Sequence, residues 1–308
     1  MKFNNCKMPI PSFKALPLML LGTLVVSPML QAESKSELQP NIKPESSRVQ
    51  FQGKFEQGAL IRARTEPGTE VQLNGESITL TPDGRFAFGF EREAALEQTL
   101  TLSYPDGSSE SRNLKLDKRD YRIQYVEGIS KKIMKPDPKA QERAAKDSAQ
   151  VKAARSHFST RQAFADDFIW PLTGRISGVY GSQRVYNGKP GTPHYGVDVA
   201  AKTGTVVVAP ADGVISLSVP DMFYSGGTMI IDHGYGVSSS FLHLSKLYVK
   251  EGDEVKQGQA VAEVGATGRA TGPHLDWRVN WYQMRLDPTT LVPPMSQVLQ
   301  QAKSDAKK

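Results

Sequence analysis

The sequence predicts a mostly β protein: a small antiparallel β-sandwich, a helical connector, and an antiparallel all-β domain behind it. Three observations carry that prediction. Short alternating apolar runs separated by turn residues fill positions 48–119. A basic, Ala-rich stretch with helix-forming residues follows. From position 168 onward Gly and Val are frequent and helical periodicity is absent.

The N-terminus reads as an export signal. Lys2, Lys7 and Lys14 make a basic start, 16–26 is apolar, and Pro28-Met29-Leu30-Gln31-Ala32 offers a small residue before a cut. Residues 1–32 are therefore expected to be a cleaved signal peptide, because the apolar run is shorter than the ~18 to 20 residues that span a bilayer. No later stretch is long and apolar enough to span one. Cys6, the one cysteine among 308 residues, would leave with the signal. The remaining chain would hold no disulfide, no thiolate nucleophile and no thiolate metal ligand. The formal charge of +6 would fall to +3, with 35 basic against 32 acidic residues. That mild balance argues against nucleic acid as a partner and is compatible with an anionic wall polymer.

Residues 33–47 are polar with two prolines and read as a flexible leader. The runs Val49-Gln50-Phe51, Ala59-Leu60-Ile61-Arg62-Ala63, Glu70-Val71-Gln72-Leu73, Phe86-Ala87-Phe88-Gly89-Phe90, Thr99-Leu100-Thr101-Leu102 and Asn113-Leu114-Lys115-Leu116 read as strands. Pro67-Gly68, Asn74-Gly75, Asp83-Gly84 and Asp106-Gly107 supply turns between them. Residues 48–119 are thus expected to form an Ig-like sandwich, without a catalytic cluster, acting as a spacer or binding module.

Residues 120–167 read as a basic helical connector. Between 131 and 161 there are nine Lys or Arg and three Asp or Glu. A solvated helix is the plainer reading than a binding patch, and the connector is expected to be a protease-sensitive joint between two independently folded parts. His157 lies there without an acidic neighbour. Residues 168–292 form the second β domain, with strand candidates at 205–209, 213–219, 228–232, 237–242 and 274–281. Residues 293–308 read as a disordered tail.

Four of the five histidines fall between 194 and 274. In Thr192-Pro193-His194-Tyr195-Gly196-Val197-Asp198-Val199, His194 and Asp198 are four apart. If that stretch is a strand, they share one face while Val197 and Val199 enter the core. An imidazole and a carboxylate together make half of a metal site; the bland alternative is a chance pair in a loop. His243 closes Ser240-Phe241-Leu242-His243-Leu244-Ser245. His274 follows Gly272-Pro273 and shares a face with Asp276, opposite Leu275 and Trp277. Three histidines at strand ends, with two Asp in even register, form a constellation.

The order of blocks resembles the lysostaphin-type (LytM-like) peptidoglycan metallopeptidases. Those blocks are Trp170-Pro171-Leu172-Thr173-Gly174, His194-x-x-x-Asp198, Ile231-Asp232-His233-Gly234, Leu242-His243-Leu244-Ser245 and Gly272-Pro273-His274-Leu275, with Gly252-Asp253-x-Val255-x-x-Gly258 before the last. The sandwich and the Tyr-Arg-Ile-Gln segment after it resemble the front half of some exported bacterial members. The resemblance implies one Zn²⁺ and cleavage of stem-peptide cross-links in peptidoglycan. It makes His194 and Asp198 metal ligands, His243 and His274 catalytic, and His233 structural. Position 276 departs from the pattern: the family usually has His there, and this chain has Asp. Either Asp276 is the third ligand or that ligand is missing. With two carboxylates and one imidazole the charge of Zn²⁺ would be cancelled. Mn²⁺ should then compete better than at a His-rich site, and activity should rise into mildly alkaline pH.

A second reading is a degenerate LytM-like domain that binds wall or activates another hydrolase without catalysis. The retention of four of five site positions favours the enzyme. A third reading starts from Val249-Lys250-Glu251-Gly252-Asp253-Glu254-Val255-Lys256-Gln257-Gly258-Gln259, which resembles the hairpin of biotinyl or lipoyl carrier domains. It lacks a Met-Lys-like tip, so the hairpin is taken as scaffold. Cysteine-free export favours a periplasmic location. The sequence names no regulator.

Overall fold

The computed structural model describes residues 47–128 and 137–305. The expected signal segment 1–32 and all of the expected leader 33–47 except Ser47 lie outside those residues. So do 129–136 of the connector and 306–308 at the end.

Seven strands make the front part: β1 (Gln50–Gln52), β2 (Leu60–Arg64), β3 (Glu70–Leu73), β4 (Glu76–Ile78), β5 (Arg85–Gly89), β6 (Glu97–Ser103) and β7 (Ser109–Lys115). They form two antiparallel sheets, β1-β2-β5 and β4-β3-β6-β7. The Asn74-Gly75 turn pairs Leu73 with Glu76, and both turn residues have positive φ, 52° and 86°. Asn and Gly tolerate that conformation, and its twist matches the flanking strands. Strand β4, absent from the sequence reading, follows directly from this turn. Between the sheets lie Ile61, Val71, Leu73, Phe86, Phe88, Leu100, Leu102 and Leu114. Phe86 and Phe88 are two apart on one strand and both fully buried.

Next come β8 (Ile123–Val126) and α1 (Pro138–Ser156). The rear part then runs through β9 (Arg175–Gly178), β10 (Gln183–Tyr186), β11 (Lys189–Pro190), β12 (Val197–Ala200), β13 (Val206–Val208), β14 (Gly213–Met222) and β15 (Gly226–Gly234). It continues with β16 (Val237–Leu244), β17 (Lys246–Leu247), β18 (Glu254–Val255), β19 (Ala260–Glu263), β20 (His274–Trp281) and β21 (Met284–Leu286). Helix α2 (Met295–Asp305) follows. The main sheet has the order β18-β14-β15-β16-β20-β12-β9, with β21 on β20. Its core face holds Val197, Val199, Met229, Ile231, Phe241, Leu275, Trp277 and Val279. The mostly β class stands.

Four expectations change. Residues 120–167 are not purely helical: β8 lies within them and pairs with β10, and that pairing is parallel. The tail 293–308 is not wholly irregular. Met295 is buried, Val298 packs on the same core, and Trp170 Nε1–H donates to the Pro293 carbonyl at 2.8 Å. Two apolar residues three apart give the first turn of α2 a face to bury.

The two β parts are also not independent. Strand β2 contributes to both cores: Ile61 and Ala63 enter the sandwich, while Leu60 joins the rear core together with Ala87 of β5. A Cβ on Gly89 would meet Leu286 at 2.5 Å. Asp287, almost wholly buried, accepts from Arg119 Nη2 at 2.8 Å, and its N–H donates to the Gly58 carbonyl at 2.7 Å. A joint with two free halves would leave these groups in water. The fourth change concerns α1, which is not wholly solvated: Val151 and Ala154 pack on Leu217, Met222 and Ile230 of the sheet.

Candidate metal centre

The pairing of β12 with β20 sets Asp198 directly opposite Asp276. Two carboxylates facing each other across neighbouring strands repel, so this pairing calls for a cation. Val197 and Val199 point into the core, which leaves Asp198 on the open face; Leu275 and Trp277 do the same for Asp276. The sheet alternation expected from the sequence holds for both acids.

His194 reaches them differently. It precedes β12 and is not in a strand, so strand register does not place it. A backbone pair holds its loop: His194 N–H donates to the Ser182 carbonyl at 2.8 Å, and Gly181 N–H donates to the His194 carbonyl at 2.7 Å. Its Nε2 then lies 3.1 Å from Asp198 Oδ1. Both atoms are buried, and neither has a hydrogen-bond partner among the described residues. Ligand atoms of a tetrahedral zinc site, each ~2.0–2.1 Å from the ion, lie roughly 3.3 Å apart. One ligand atom from each of His194, Asp198 and Asp276 falls within 4.8 Å of the others. The donor set of one imidazole and two carboxylates fits zinc, and its oxygen content suits manganese as well.

Gly196 makes room for this. A Cβ there would stand 2.4 Å from Asp276 Oδ1 and 2.7 Å from Arg278 Cγ. The motif glycine between His194 and Asp198 is thus a steric requirement of the opposite strand.

Arg278 was not singled out by the sequence reading. It lies two residues beyond Asp276 on the same face and grips that carboxylate with Nε at 2.9 Å and Nη2 at 2.6 Å. The Asp276-x-Arg278 spacing carried the signal, since positions two apart in a strand are neighbours. Burial alone would push the Asp276 carboxyl up. The Arg278 guanidinium outweighs it and holds the group well below the usual carboxylate range. Burial also works against charge on His194, but the adjoining Asp198 carboxylate and the Asp276 charge leave that imidazole above its ordinary value.

His243 and His274 stand beside the acids with ring centroids 4.8 Å apart. Each is anchored through Nδ1 to a backbone carbonyl, His243 to Thr267 and His274 to Gly272, both at 2.8 Å. A carbonyl only accepts, so each Nδ1 carries a proton, and in the neutral ring the lone pair is on Nε2. His274 Nε2 lies 3.8 Å from Asp198 Oδ1. Burial, with the charges of His274 and Arg278 adding to it, lowers the His243 pKa below its ordinary value. His243 has φ +65°, rare for a residue with a side chain. Strict alternation along β16 would send it into the core with Phe241; the positive φ turns it toward the site instead.

His233 lies apart from this group. It is fully buried, donates from Nδ1 to the Asp212 carbonyl at 2.7 Å, and meets Ser239 Oγ with Nε2 at 2.9 Å. The structure thus brings together His194, Asp198, Asp276, His243 and His274, adds Arg278, and leaves His233 and His157 out.

Residues 192–288 match the family model described as peptidase family M23. The resemblance read from the sequence blocks is borne out over that stretch. Peptidoglycan DD-endopeptidase ShyA of Vibrio cholerae serotype O1 is 39% identical over 119 residues, which are 38% of this chain and 26% of that protein. An uncharacterized metalloprotease of Haemophilus influenzae is 35% identical over 124 residues, 40% of this chain and 23% of that protein. The chain spans about a quarter of the length of these relatives. A solved structure described as a putative peptidase M23 from Pseudomonas aeruginosa superposes with a TM-score of 0.59 at 27% identity, covering 77% of this chain and 95% of that one. That coverage exceeds the stretch the family model matches, so the likeness in fold extends beyond it.

Proposed function

We propose that this chain, carrying a peptidase family M23 domain at residues 192–288, is a metal-dependent endopeptidase that cleaves peptide cross-links in peptidoglycan. The observation that supports it most directly is the pair of orphaned buried atoms, His194 Nε2 and Asp198 Oδ1, with a third donor from Asp276 nearby. Buried polar atoms without partners are rare and call for an ion or water. The names of the relatives supply the substrate class.

In this reading His194, Asp198 and Asp276 hold one zinc ion. Such an ion acts as a Lewis acid on an amide carbonyl and makes water a competent nucleophile near neutral pH. The chain's own residues do the proton work. His243 and His274 are held by Nδ1–H bonds to the Thr267 and Gly272 carbonyls, so the neutral form of each ring presents an Nε2 lone pair. One can take the proton from the attacking water and pass it to the leaving amine; the other, when it has taken a second proton from solvent, can donate Nε2–H to the developing oxyanion. The lowered pKa favours the neutral, proton-accepting form of His243.

One observation favours a second reading. Both oxygens of Asp276 are engaged by Arg278, which suits a domain that binds wall without metal chemistry. A single experiment separates the two. Purified cross-linked peptidoglycan is digested with the protein, with and without chelator, and the fragments are resolved by mass. Chelator-sensitive release of uncross-linked stems is expected. Intact cross-links with zinc-loaded protein would leave the binding role in its place. The exported, periplasmic location is part of the proposal and rests on the character of residues 1–32; cell fractionation checks it.

A further inference from the structure

Helix α1 lies outside the matched family stretch, and between it and the main sheet is a cavity of about 520 Å³. Lys152, Arg155, Arg269, Arg278 and Arg285 all line it, against one acid, Asp147. That acid is turned to the backbone: its carboxylate accepts from Phe223 N–H at 2.6 Å. Arg278 is answered by Asp276. Arg285 meets the face of Tyr195 at 5.0 Å and Arg269 that of Tyr224 at 5.9 Å. Neither has a carboxylate partner among the described residues.

Arg155 is the informative member. It is 6% exposed, the one buried residue of α1. Its Nη2 donates to Ser240 Oγ at 2.9 Å, but its buried Nε has no partner. Burial, and then the charges of Arg285 and Arg278, hold its pKa down to about 9. A buried guanidinium among other guanidinium groups and without an acid costs stability. Such groups persist where an incoming ligand supplies the missing charge. His243 and Arg278 line the same cavity, so a molecule in it lies next to residues that border the candidate metal centre.

We propose that this cavity is a carboxylate subsite, in which Arg155 and Arg285 bind a free carboxylate of the peptide substrate beside the bond to be cut. The inference rests on the peptidase reading and adds substrate selection to it. Guanidinium forks match a planar carboxylate through paired hydrogen bonds. Arg155 binds from the helix side and Arg285 from the sheet side, so a carboxylate between them would pin the substrate under α1. An uncharged peptide would leave the cluster unanswered.

The test uses the full chain stripped of metal by chelator. Calorimetry measures its binding of a muropeptide dimer with free carboxylates, and of the same dimer with its carboxyl groups amidated. Amidation is expected to weaken binding roughly tenfold or more. Arg155→Gln and Arg285→Gln should each weaken binding of the free dimer by a similar factor and leave the amidated dimer unaffected. Arg155→Gln should also raise the ligand-free melting temperature, because it removes an unanswered buried charge. Equal binding of the two dimers by the unmodified protein overturns the subsite, as does no binding of the free dimer. So does an equal loss for both dimers in the Arg variants. Cleavage by metal-loaded protein without preference for the free dimer would sink the subsite and keep the peptidase. Carboxylate-dependent binding without any cleavage would do the reverse.

Discussion

Arg278 holds Asp276 by both carboxylate oxygens, at 2.9 and 2.6 Å. The pair changes the charge of the candidate centre. Two carboxylates would cancel a divalent ion, but with Arg278 the set keeps one net positive charge, as a two-His, one-Asp site does. The sequence-based expectation of a cancelled ion charge, and with it of activity rising into mildly alkaline pH, loses its ground. The preference of oxygen donors for a harder ion such as Mn²⁺ does not depend on it. Asp276 and Arg278 together carry the net charge of one neutral imidazole.

Asp276→His, a simple restoration on sequence grounds, should therefore fail alone. It leaves Arg278 without its partner, and breaking a buried pair costs about 3–5 kcal/mol. The expected result is a lower melting temperature and no tighter zinc binding. Asp276→His combined with Arg278→Gln should recover stability and bind zinc more tightly. Thermal melts and zinc titration against a competing chelator read both. A single variant as stable as the parent would show that the pair contributes nothing.

Replacing His243 or His274 by Ala should reduce cleavage by roughly 10² to 10⁴, the loss expected for a proton-transfer or oxyanion group. Zinc content should stay near that of the parent, because neither residue belongs to the proposed ligand set. His194→Ala should instead abolish bound zinc with the fold kept. Metal analysis beside the cleavage assay separates the roles. Zinc lost from the His274 variant would move that residue into the ligand set.

His233 predicts a pH dependence of stability. Burial pushes its pKa from 6.5 down to about 4. Between those values the unfolded chain binds a proton that the folded chain excludes, so stability falls as pH drops. The loss begins near pH 6.5 and is complete below about 4, reaching about 3 kcal/mol. His233→Gln should be less stable at neutral pH, having lost a buried hydrogen-bonded ring, but should lose less on acidification. Chemical denaturation at a series of pH values measures this. Parallel curves for the two proteins would exclude His233 as the source.

The shared core predicts one unfolding event. All three tryptophans lie at 170, 277 and 281; Trp170 and Trp277 belong to the rear core and Trp281 packs on both cores, so their fluorescence reports chiefly the rear part. Leu60, on the front sheet, is 1% exposed and packs into the rear core. Leu60→Ala should cost about 2–5 kcal/mol and shift the tryptophan transition to lower urea. An unmoved tryptophan transition would mean that the two parts unfold separately.

The sequence by itself determined the mostly β class and the strand faces of Asp198 and Asp276, and it singled out the five residues that the structure brings together, their proposed roles coming from the resemblance. These follow from period-two alternation and from block order, which are local properties. Tertiary structure decided the rest. His194 reaches Asp198 from a loop held by Gly181 and Ser182, so the even spacing of the two residues was not the cause. His243 turns toward the site because its φ is positive, which alternation cannot express. Arg155 looked like one more charge on a solvated helix; only the packing of Val151 and Ala154 on the sheet buries it among Arg278 and Arg285. Leu60 and Ala87 read as ordinary strand residues until the rear core closed over them. In each case the deciding contact joins residues far apart in the chain, and periodicity within a segment carries no information about the surface it will meet.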